Sequence, residues 1–178
     1  MKISSLEEYG LRCLMQVARA GVDDPQPISG IAAREGLSAE YVGKLLMKLR
    51  QGGLVESFRG KTGGYVLARP AGRITLRNVL ETLSEPIYEP GHCSKFSGIG
   101  DVCVHAEDCG IRPVWAEVNR FLAEALDRVT LKDLLTNEAE ARELLLRSLK
   151  AQAETDPVPG AFLSPARWQP VAEGPPRA

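Results

Sequence analysis

The sequence predicts a mainly α-helical fold that includes one small β-hairpin. Three observations lead to this prediction. Apolar residues recur at helical spacing over much of residues 5–83, two short strand-like runs flank a glycine-rich tip at residues 59–63, and a long apolar stripe begins at Val114. Together these features indicate a winged helix-turn-helix domain followed by a long helix.

The first helix is predicted near the N-terminus. Ser4 or Ser5 can cap it, and Glu7 and Glu8 stand in its first turn, where the helix dipole favours negative charge. Cys13 lies within the apolar stripe of this helix. We therefore expect Cys13 to be a small buried hydrophobe and not a ligand.

Two further helices are predicted around a tight turn. Ser29 is expected to cap a short helix that ends before Gly36, which supplies a left-handed stop, and Ser38 caps a second helix that runs to about Arg50. The second helix has a regular apolar face, formed by Val42, Leu45, Leu46 and Leu49. Its remaining positions include basic residues. The two helices therefore indicate a helix-turn-helix in which the second helix faces DNA.

The hairpin directly follows the helix-turn-helix, and this order indicates that it is a wing. Its strands are predicted at residues 54–58 and 64–67, joined by a basic tip that includes Arg59 and Lys61. An arginine at such a tip can enter the narrow minor groove of DNA. A nucleotide phosphate loop is excluded, because the GxxxxGK[ST] spacing and the helix that must follow it are both missing from the sequence.

Charge is unevenly distributed along a chain whose net charge is −1. Residues 1–77 carry twelve Lys or Arg against seven Asp or Glu, whereas the remainder carries ten against sixteen. Within residues 38–77 the count is eight against two. A basic segment on a nearly neutral chain is typical of a polyanion-binding surface, although the same charges would also suit an ordinary solvated surface.

The stretch from Gly91 to Pro113 is rich in glycine and holds three of the four cysteines, Cys93, Cys103 and Cys109. A segment of this composition needs something to order it, and clustered thiolates point to a metal or a redox bond. Three thiolates with a histidine would also satisfy zinc, but the CxxC spacing of zinc sites is missing from the sequence.

A helix capped near Thr75 precedes this stretch and is expected to close at Pro86, and a long helix with a strong apolar stripe begins at Val114. The stripe suits either a dimer interface or packing within the chain. The chain then divides into regions: a winged domain at 1–84, a cysteine loop at 85–113, a dimerisation helix with a short following helix at 114–135, a further helix at 136–154, and a disordered Pro-rich tail at 155–178.

Composition excludes several classes of protein. No apolar run approaches the ~20 residues of a membrane span, and the N-terminus lacks the apolar core of a signal peptide, so we expect a cytoplasmic protein. No nucleophile–base pair, paired carboxylates or cofactor loop is apparent. We therefore do not expect an enzyme.

Four segments together resemble the Rrf-two family of bacterial winged-helix transcription regulators, of the IscR, NsrR and RirA type. They are MKISSLEEYGLRCLMQVA, LSAEYVGKLLMKLRQGGLVESFRGKTGGYVLARP, the cysteine loop, and TLKDLL after the long helix. The resemblance covers roughly residues 1–135. It implies a homodimer that binds double-stranded operator DNA, with the long helices as the dimer spine.

The resemblance also implies which residues meet DNA. They lie on the second helix of the helix-turn-helix and on the wing: Ser38, Glu40, Tyr41, Lys44, Lys48, Arg50, Arg59, Gly60, Lys61, Gly63 and Gly64. Gly43 departs from relatives that carry a larger polar residue there. The target DNA sequence therefore cannot be carried over from them.

Many members of this family hold an iron–sulfur cluster on three loop cysteines, which here are Cys93, Cys103 and Cys109. Their spacing of nine and then five residues departs from the commoner five and five. Arg112 occupies the position at which some members have a ligating histidine, and Glu8 matches a carboxylate that others use across the dimer. The cluster would be [2Fe–2S] or [4Fe–4S], with His92 and His105 as weaker ligand candidates.

The resemblance implies a sensor of redox state or nitric oxide. Loss of the cluster would free the loop and change the separation of the recognition helices, which must match operator half-sites about 34–36 Å apart. Two alternatives remain open on the sequence alone: a metal-free thiol switch that uses the same cysteines, and an interaction module that uses the winged fold without DNA.

Overall fold

The computed structural model describes residues 3–21, 24–60, 63–85, 88–89 and 91–155, with side chains up to residue 147. Its regular elements are, in order, α1 Ser5–Ala20, α2 Ile28–Glu35, α3 Ala39–Gln51, β1 Val55–Phe58, β2 Gly64–Leu67, α4 Leu76–Leu83, α5 Ile111–Asp127 and α6 Glu138–Thr155. The strands pair antiparallel, from Val55 opposite Leu67 to Phe58 opposite Gly64. The mainly helical fold with one hairpin wing is thus confirmed. Among the described helices, none combines the length and the apolar character that a membrane span requires.

Polar caps define the starts of three helices as the sequence predicts. The hydroxyl of Ser4 accepts a hydrogen bond from the Glu7 backbone N–H, and the Glu7 carboxylate accepts one from the Ser4 N–H at 2.7 Å, which completes a capping box. Ser38 accepts from the Tyr41 N–H at 3.2 Å, and Thr75 caps α4 in the same way. These caps are local, so the sequence alone locates them.

Two helix starts differ from the prediction. The expected cap of α2, Ser29, lies inside the helix, because Pro27 occupies the cap position with extended backbone angles and its carbonyl accepts from Gly30 and Ile31. Helix α5 begins at Ile111, three residues before the expected start at Val114. Pro113 is compatible with this first turn, where its missing N–H would have no partner within the helix.

One apolar core joins α1 through α4 and the hairpin. It contains the predicted face of α3 and the thiol of Cys13, which is fully buried as expected. Leu131 also belongs to this core, although it lies beyond α5 in the sequence. The other fully buried large side chains are Leu14, Val17, Ile31, Val42, Leu45, Leu46, Leu49, Leu54, Val55, Ile74, Val79 and Leu83.

The chain returns to the winged domain after α5. The Leu131 N–H donates to the Ile74 carbonyl at 2.8 Å, and Thr75 and Thr130 form an isolated β-bridge. At the end of α5, Asp127 accepts hydrogen bonds from Thr75 and Arg77. The segment formed by the cysteine loop and α5 therefore starts at the C-terminal end of α4 and is attached again near the N-terminal end of α4.

Helices α1 and α4 approach each other closely at Gly10. A Cβ atom at this position would meet the Leu83 side chain at 2.7 Å, and Leu83 is fully buried, so it has no room to move aside. The absence of a side chain at Gly10 thus permits this helix contact.

Asn137 caps α6, since its side-chain oxygen accepts from the Glu140 N–H at 3.0 Å. The helix extends to Thr155, beyond its expected end, and so includes the first residue of the predicted tail. The rest of that tail lies outside the described residues, as does Pro86.

We expect Gly10→Ala and Gly43→Ala to have opposite effects on the free energy of unfolding. Overpacking of a core costs about 1–3 kcal/mol, so Gly10→Ala should lower stability despite a helix-propensity gain of ~1 kcal/mol. Gly43→Ala should raise stability by up to ~1 kcal/mol, because its Cβ would meet only Ile28, at 3.8 Å.

Urea unfolding of the two variants beside the wild-type chain measures both effects. Equal stabilisation by both substitutions would contradict the close approach of α1 and α4.

Candidate DNA interface and cysteine loop

The recognition helix α3 has a buried face and an exposed face. The Lys44 ammonium and the Glu40 carboxylate pair at 2.7 Å on the exposed face, with 65% and 79% of their side chains accessible. Such an exposed pair contributes little stability, so it yields readily to a stronger phosphate contact. Ser38 stands at the start of this face as the helix cap.

Tyr41 is only half-exposed, because its ring packs edge-to-face on Tyr9 of α1, with ring centroids 6.1 Å apart. The Arg12 guanidinium lies over the Tyr9 ring, 5.3 Å from its centroid. It also donates a hydrogen bond of 2.7 Å to the Glu35 carboxylate. Tyr41 was expected to face DNA, and the structure also gives it a role in packing α3 on α1.

Lys48 does not extend from the exposed face of α3 as expected. Its ammonium donates a hydrogen bond of 2.8 Å to the Leu83 carbonyl at the end of α4. Lys44, four residues earlier on the same helix, has the exposed position that was expected for Lys44 and Lys48 alike. One of the two predicted lysine contacts on α3 is therefore engaged with the protein itself.

The end of α3 connects to the wing. Arg50 is exposed and donates to the Ser57 hydroxyl of β1 at 3.3 Å. Arg59 is exposed at the start of the tip, whereas Lys61 lies outside the described residues. Lys44, Arg50 and Arg59 are thus the predicted basic contacts that the structure places on the surface.

The glycines of the wing permit backbone conformations and close backbone contacts that a side chain would prevent. Gly60 has φ +121°, a conformation that side chains rarely allow. A Cβ at Gly63 would meet the Phe58 carbonyl oxygen at 2.5 Å, and one at Gly64 would meet the backbone of residue 26 at the same distance. These glycines shape the tip, and any contact with phosphates would come through their backbone.

A buried polar group that the sequence did not single out fixes the wing to the helices. Gln26 exchanges two backbone hydrogen bonds of 2.9 Å with Tyr65 of β2. Its side-chain oxygen accepts from Arg34 of α2 at 2.6 Å. In the sequence, the two prolines that flank Gln26 favour an extended backbone before α2, and this is the local feature that fits its β-bridge to Tyr65.

Fewer basic side chains of residues 38–77 are available on the surface than the composition suggests. Arg77 is paired with Glu81 and with Asp127 of α5, and its pKa is raised by the hydrogen bonds to these carboxylates. Arg69 donates to Asn78 within the domain. The count of eight basic residues therefore overstates the charge that is available to a polyanion.

All four cysteines are free thiols. Burial raises the pKa of Cys13 to about 11, which disfavours the thiolate that a metal requires. The three loop cysteines are half-buried instead, with Cys93 on a short 3₁₀ helix, His92–Phe96. The predicted distinction between one core cysteine and three loop cysteines agrees with this arrangement.

Arg112 organises the cysteine loop from the first turn of α5. Its guanidinium donates to the Ala106 carbonyl at 2.7 Å and to the His105 carbonyl at 3.4 Å. A hydrogen bond with Cys93, together with the attraction of Cys93 and Cys109, raises the pKa of Arg112. Arg112 thus lies close to Cys93 and Cys109.

The loop is also braced against the end of α4. Lys95 pairs with Glu85 at 2.9 Å and with Glu89 at 2.7 Å, and these hydrogen bonds raise the pKa of Lys95. The His92 ring lies between those of Tyr88 and Phe96, with centroids 5.1 and 4.9 Å away. Sequence reasoning missed this brace, because acidic and basic residues ten positions apart carry no signal in a loop.

The donor set is chemically suitable for iron, because thiolates are soft, anionic ligands. Within the part of the chain that the structure describes, no three His, Cys, Asp or Glu side chains gather closely enough to bind one metal ion. Glu8 is exposed on α1 and forms no three-residue group with loop cysteines of its own chain among the described residues. A cluster would therefore need the loop to close around it and a further donor.

An apolar stripe runs along the surface of α5. No α5 side chain is buried, and Leu122 and Leu126 are half-buried. Five large apolar residues are between 39% and 61% exposed. They are Ile111, Val114, Trp115, Val118 and Phe121. Packing within the described residues therefore leaves a large part of this stripe exposed.

Comparison with known proteins places these features in a family. A family model described as Rrf2, an iron-dependent transcriptional regulator, matches residues 3–137. The HTH-type transcriptional regulator IscR of Xenorhabdus nematophila is 30% identical over 138 residues, which is 78% of this chain and 81% of that protein. IscR of Vibrio parahaemolyticus is 31% identical over 137 residues, 77% of this chain and 79% of that protein.

Solved structures agree with this match. The structure of CymR, the global cysteine regulator of B. subtilis, superposes with a TM-score of 0.59 at 32% identity and covers 77% of this chain and 99% of that chain. T. potens IscR gives a TM-score of 0.57 at 26% identity and covers 92% and 97%. The chain is accordingly a transcription regulator and not an enzyme, and it belongs to the Rrf2 family.

Proposed function

We propose that this regulator is a homodimer that binds operator DNA and whose affinity depends on an iron–sulfur cluster held by Cys93, Cys103 and Cys109. The observation that carries the proposal is the set of three free, half-buried thiols on the loop between α4 and α5. The match to an iron-dependent family supports it. Both [2Fe–2S] and [4Fe–4S] clusters suit this donor set.

The fourth donor is proposed to be Glu8 of the partner subunit. Its counterpart in this chain is exposed on α1, whereas Arg112 occupies the histidine position of the loop. A carboxylate is a harder ligand than a thiolate. Such a cluster would supply a centre that an incoming oxidant or nitric oxide can attack.

DNA would be bound by α3 and the wing. The proposed contacts to bases and phosphates are Ser38, Glu40, Tyr41 and Lys44 from α3, Arg50 at its end, and Arg59, Gly60, Lys61, Gly63 and Gly64 from the wing. The exposed positions of Lys44, Arg50 and Arg59 support this assignment. Lys48 is left out of the set because its ammonium is bound to Leu83.

The second subunit is proposed to cover the apolar stripe of α5. Exposed apolar side chains on one helix face are stabilised when two copies pack face to face. A dimer would also provide two recognition helices for the two half-sites of an operator.

A metal-free thiol switch is the second candidate. In it, two loop thiols would form a disulfide and release two protons and two electrons to an oxidant such as a peroxide. Two structures with the same fold favour this alternative: that of the global cysteine regulator of B. subtilis, and an oxidized form of Staphylococcus aureus CymR, 28% identical to this chain with a TM-score of 0.57. Iron content after anaerobic purification separates the two candidates.

We expect the triple variant Cys93→Ala, Cys103→Ala, Cys109→Ala to lose bound iron and sulfide, because all three thiolate donors are removed. The matched control, Cys13→Ala, should keep both, since burial holds Cys13 as a thiol. Iron, acid-labile sulfide and visible absorbance after anaerobic purification are the measurements. Iron retained by the triple variant, or lost from the control, contradicts the ligand assignment.

Arg59→Ala should weaken binding to a duplex from the protein's own promoter region. Loss of one good arginine contact costs about 1–3 kcal/mol, or roughly 5- to 150-fold in Kd. Arg142→Ala, an equivalent change on α6, should leave Kd within about twofold, the scale expected of surface substitutions. Mobility-shift titrations at fixed salt measure both, and equal effects would rule out a specific role for the wing.

Phe121→Glu should convert the dimer into a monomer, because it puts a charge into the proposed apolar interface. Leu145→Glu makes the same change at an exposed apolar position of α6 and serves as the control. Sedimentation velocity gives the mass of each variant. An unchanged mass for Phe121→Glu would show that α5 is not the dimer interface.

A further inference from the structure

The cysteine loop leaves the winged domain at the last turn of α4. We call Leu83, Ser84 and Glu85 the α4 exit. Three contacts converge there, from the loop, from α1 and from the recognition helix α3.

The loop contacts the exit through charge. Lys95, two residues after Cys93, pairs with the Glu85 carboxylate at 2.9 Å. Both side chains are largely exposed, so this pair is weak and easily exchanged. The loop also continues from the exit in the chain, so the two are joined covalently as well as by this pair.

Helix α1 contacts the exit through packing and one hydrogen bond. The Leu83 side chain lies against Gly10 without a gap, and the Ser84 hydroxyl donates to Glu7 at 2.8 Å. The exit is thus held firmly on this side.

The recognition helix contacts the exit through Lys48. Its ammonium donates to the Leu83 carbonyl at 2.8 Å, across 35 positions of sequence. The last carbonyls of a helix lack partners within it and carry the negative end of its dipole, so a cation is favoured there. This bond joins α3, through the exit, to the base of the loop.

The geometry points to Lys48 as a positioning residue, which makes the orientation of α3 depend on the α4 exit and hence on the state of the cysteine loop. This inference rests on the proposed function. It deepens that function by naming how a change at the loop reaches DNA, since coupling between two sites requires contacts that differ between the two states. In this role Lys48 neutralises no phosphate.

The test compares two lysines of one helix in the full-length protein. Lys48→Met removes the exit contact, Lys44→Met is the matched control, and Lys48→Arg restores a cationic donor. Each is titrated with the promoter duplex over a range of salt concentrations, after anaerobic reconstitution with iron and sulfide and again after removal of iron by a chelator. Circular dichroism and thermal unfolding check each fold, and Lys48→Gln is read in the same way should Lys48→Met not fold.

Two readouts distinguish the roles. Lys44→Met should reduce the slope of log affinity against log salt by ~0.9, as expected for one phosphate contact, while the ratio of affinities between the two iron states stays as in the wild type. Lys48→Met should keep the wild-type slope and lower that ratio by about fivefold or more, the lower end of ordinary coupling. Lys48→Arg should restore the ratio.

The inference is overturned if Lys48→Met reduces the salt slope as Lys44→Met does, or if it keeps the wild-type ratio. Either result would leave the proposed function standing, because the wild type would still bind DNA in an iron-dependent way. A wild-type chain that binds no iron, or that binds DNA equally in both states, overturns the proposed function and the inference together.

Discussion

The last turn of α4 is held by two other helices at once. The Leu83 side chain fills the space left by Gly10 of α1, the Leu83 carbonyl accepts from Lys48 of α3, and the Ser84 hydroxyl donates to Glu7 of α1. Close-packed interiors transmit strain and do not deform smoothly. A shift at this turn must therefore move its neighbours or break one of these contacts, and the recognition helix is one of the neighbours.

The cysteine loop is held by weaker means. Its ties include the ion pairs of Lys95 with Glu85 and Glu89 and the hydrogen bonds that Arg112 makes to two backbone carbonyls. Contacts of this kind are exchanged at little cost, so the loop belongs to the low-stability part of the molecule. The winged domain thus has a close-packed core, whereas the cysteine loop that continues from α4 is held by contacts that exchange easily.

The sequence predicted what depends on local pattern. Apolar spacing located α1, α3 and α4, Ser4, Ser38 and Thr75 were recognised as caps, and the burial of Cys13 and Leu45 followed from the same periodicity. The sequence missed what depends on distant partners. The hydrogen bond of Lys48 to Leu83 and the packing of Tyr41 on Tyr9 both join residues far apart in the sequence, so local pattern gave no sign of either. Pro27 displaced the expected cap of α2, because the fixed backbone of proline outweighed the preference of Ser29 for a cap position.

Hydrogen–deuterium exchange on the iron-loaded and iron-free protein, without DNA, tests the central claim that loop and recognition helix are joined through α4. Amide protection reports local opening. The account predicts that iron changes exchange in the loop, in the last turn of α4 and in the C-terminal half of α3, while α2 stays unchanged. A change confined to the loop, with α3 and α4 exchanging alike in both states, would contradict it.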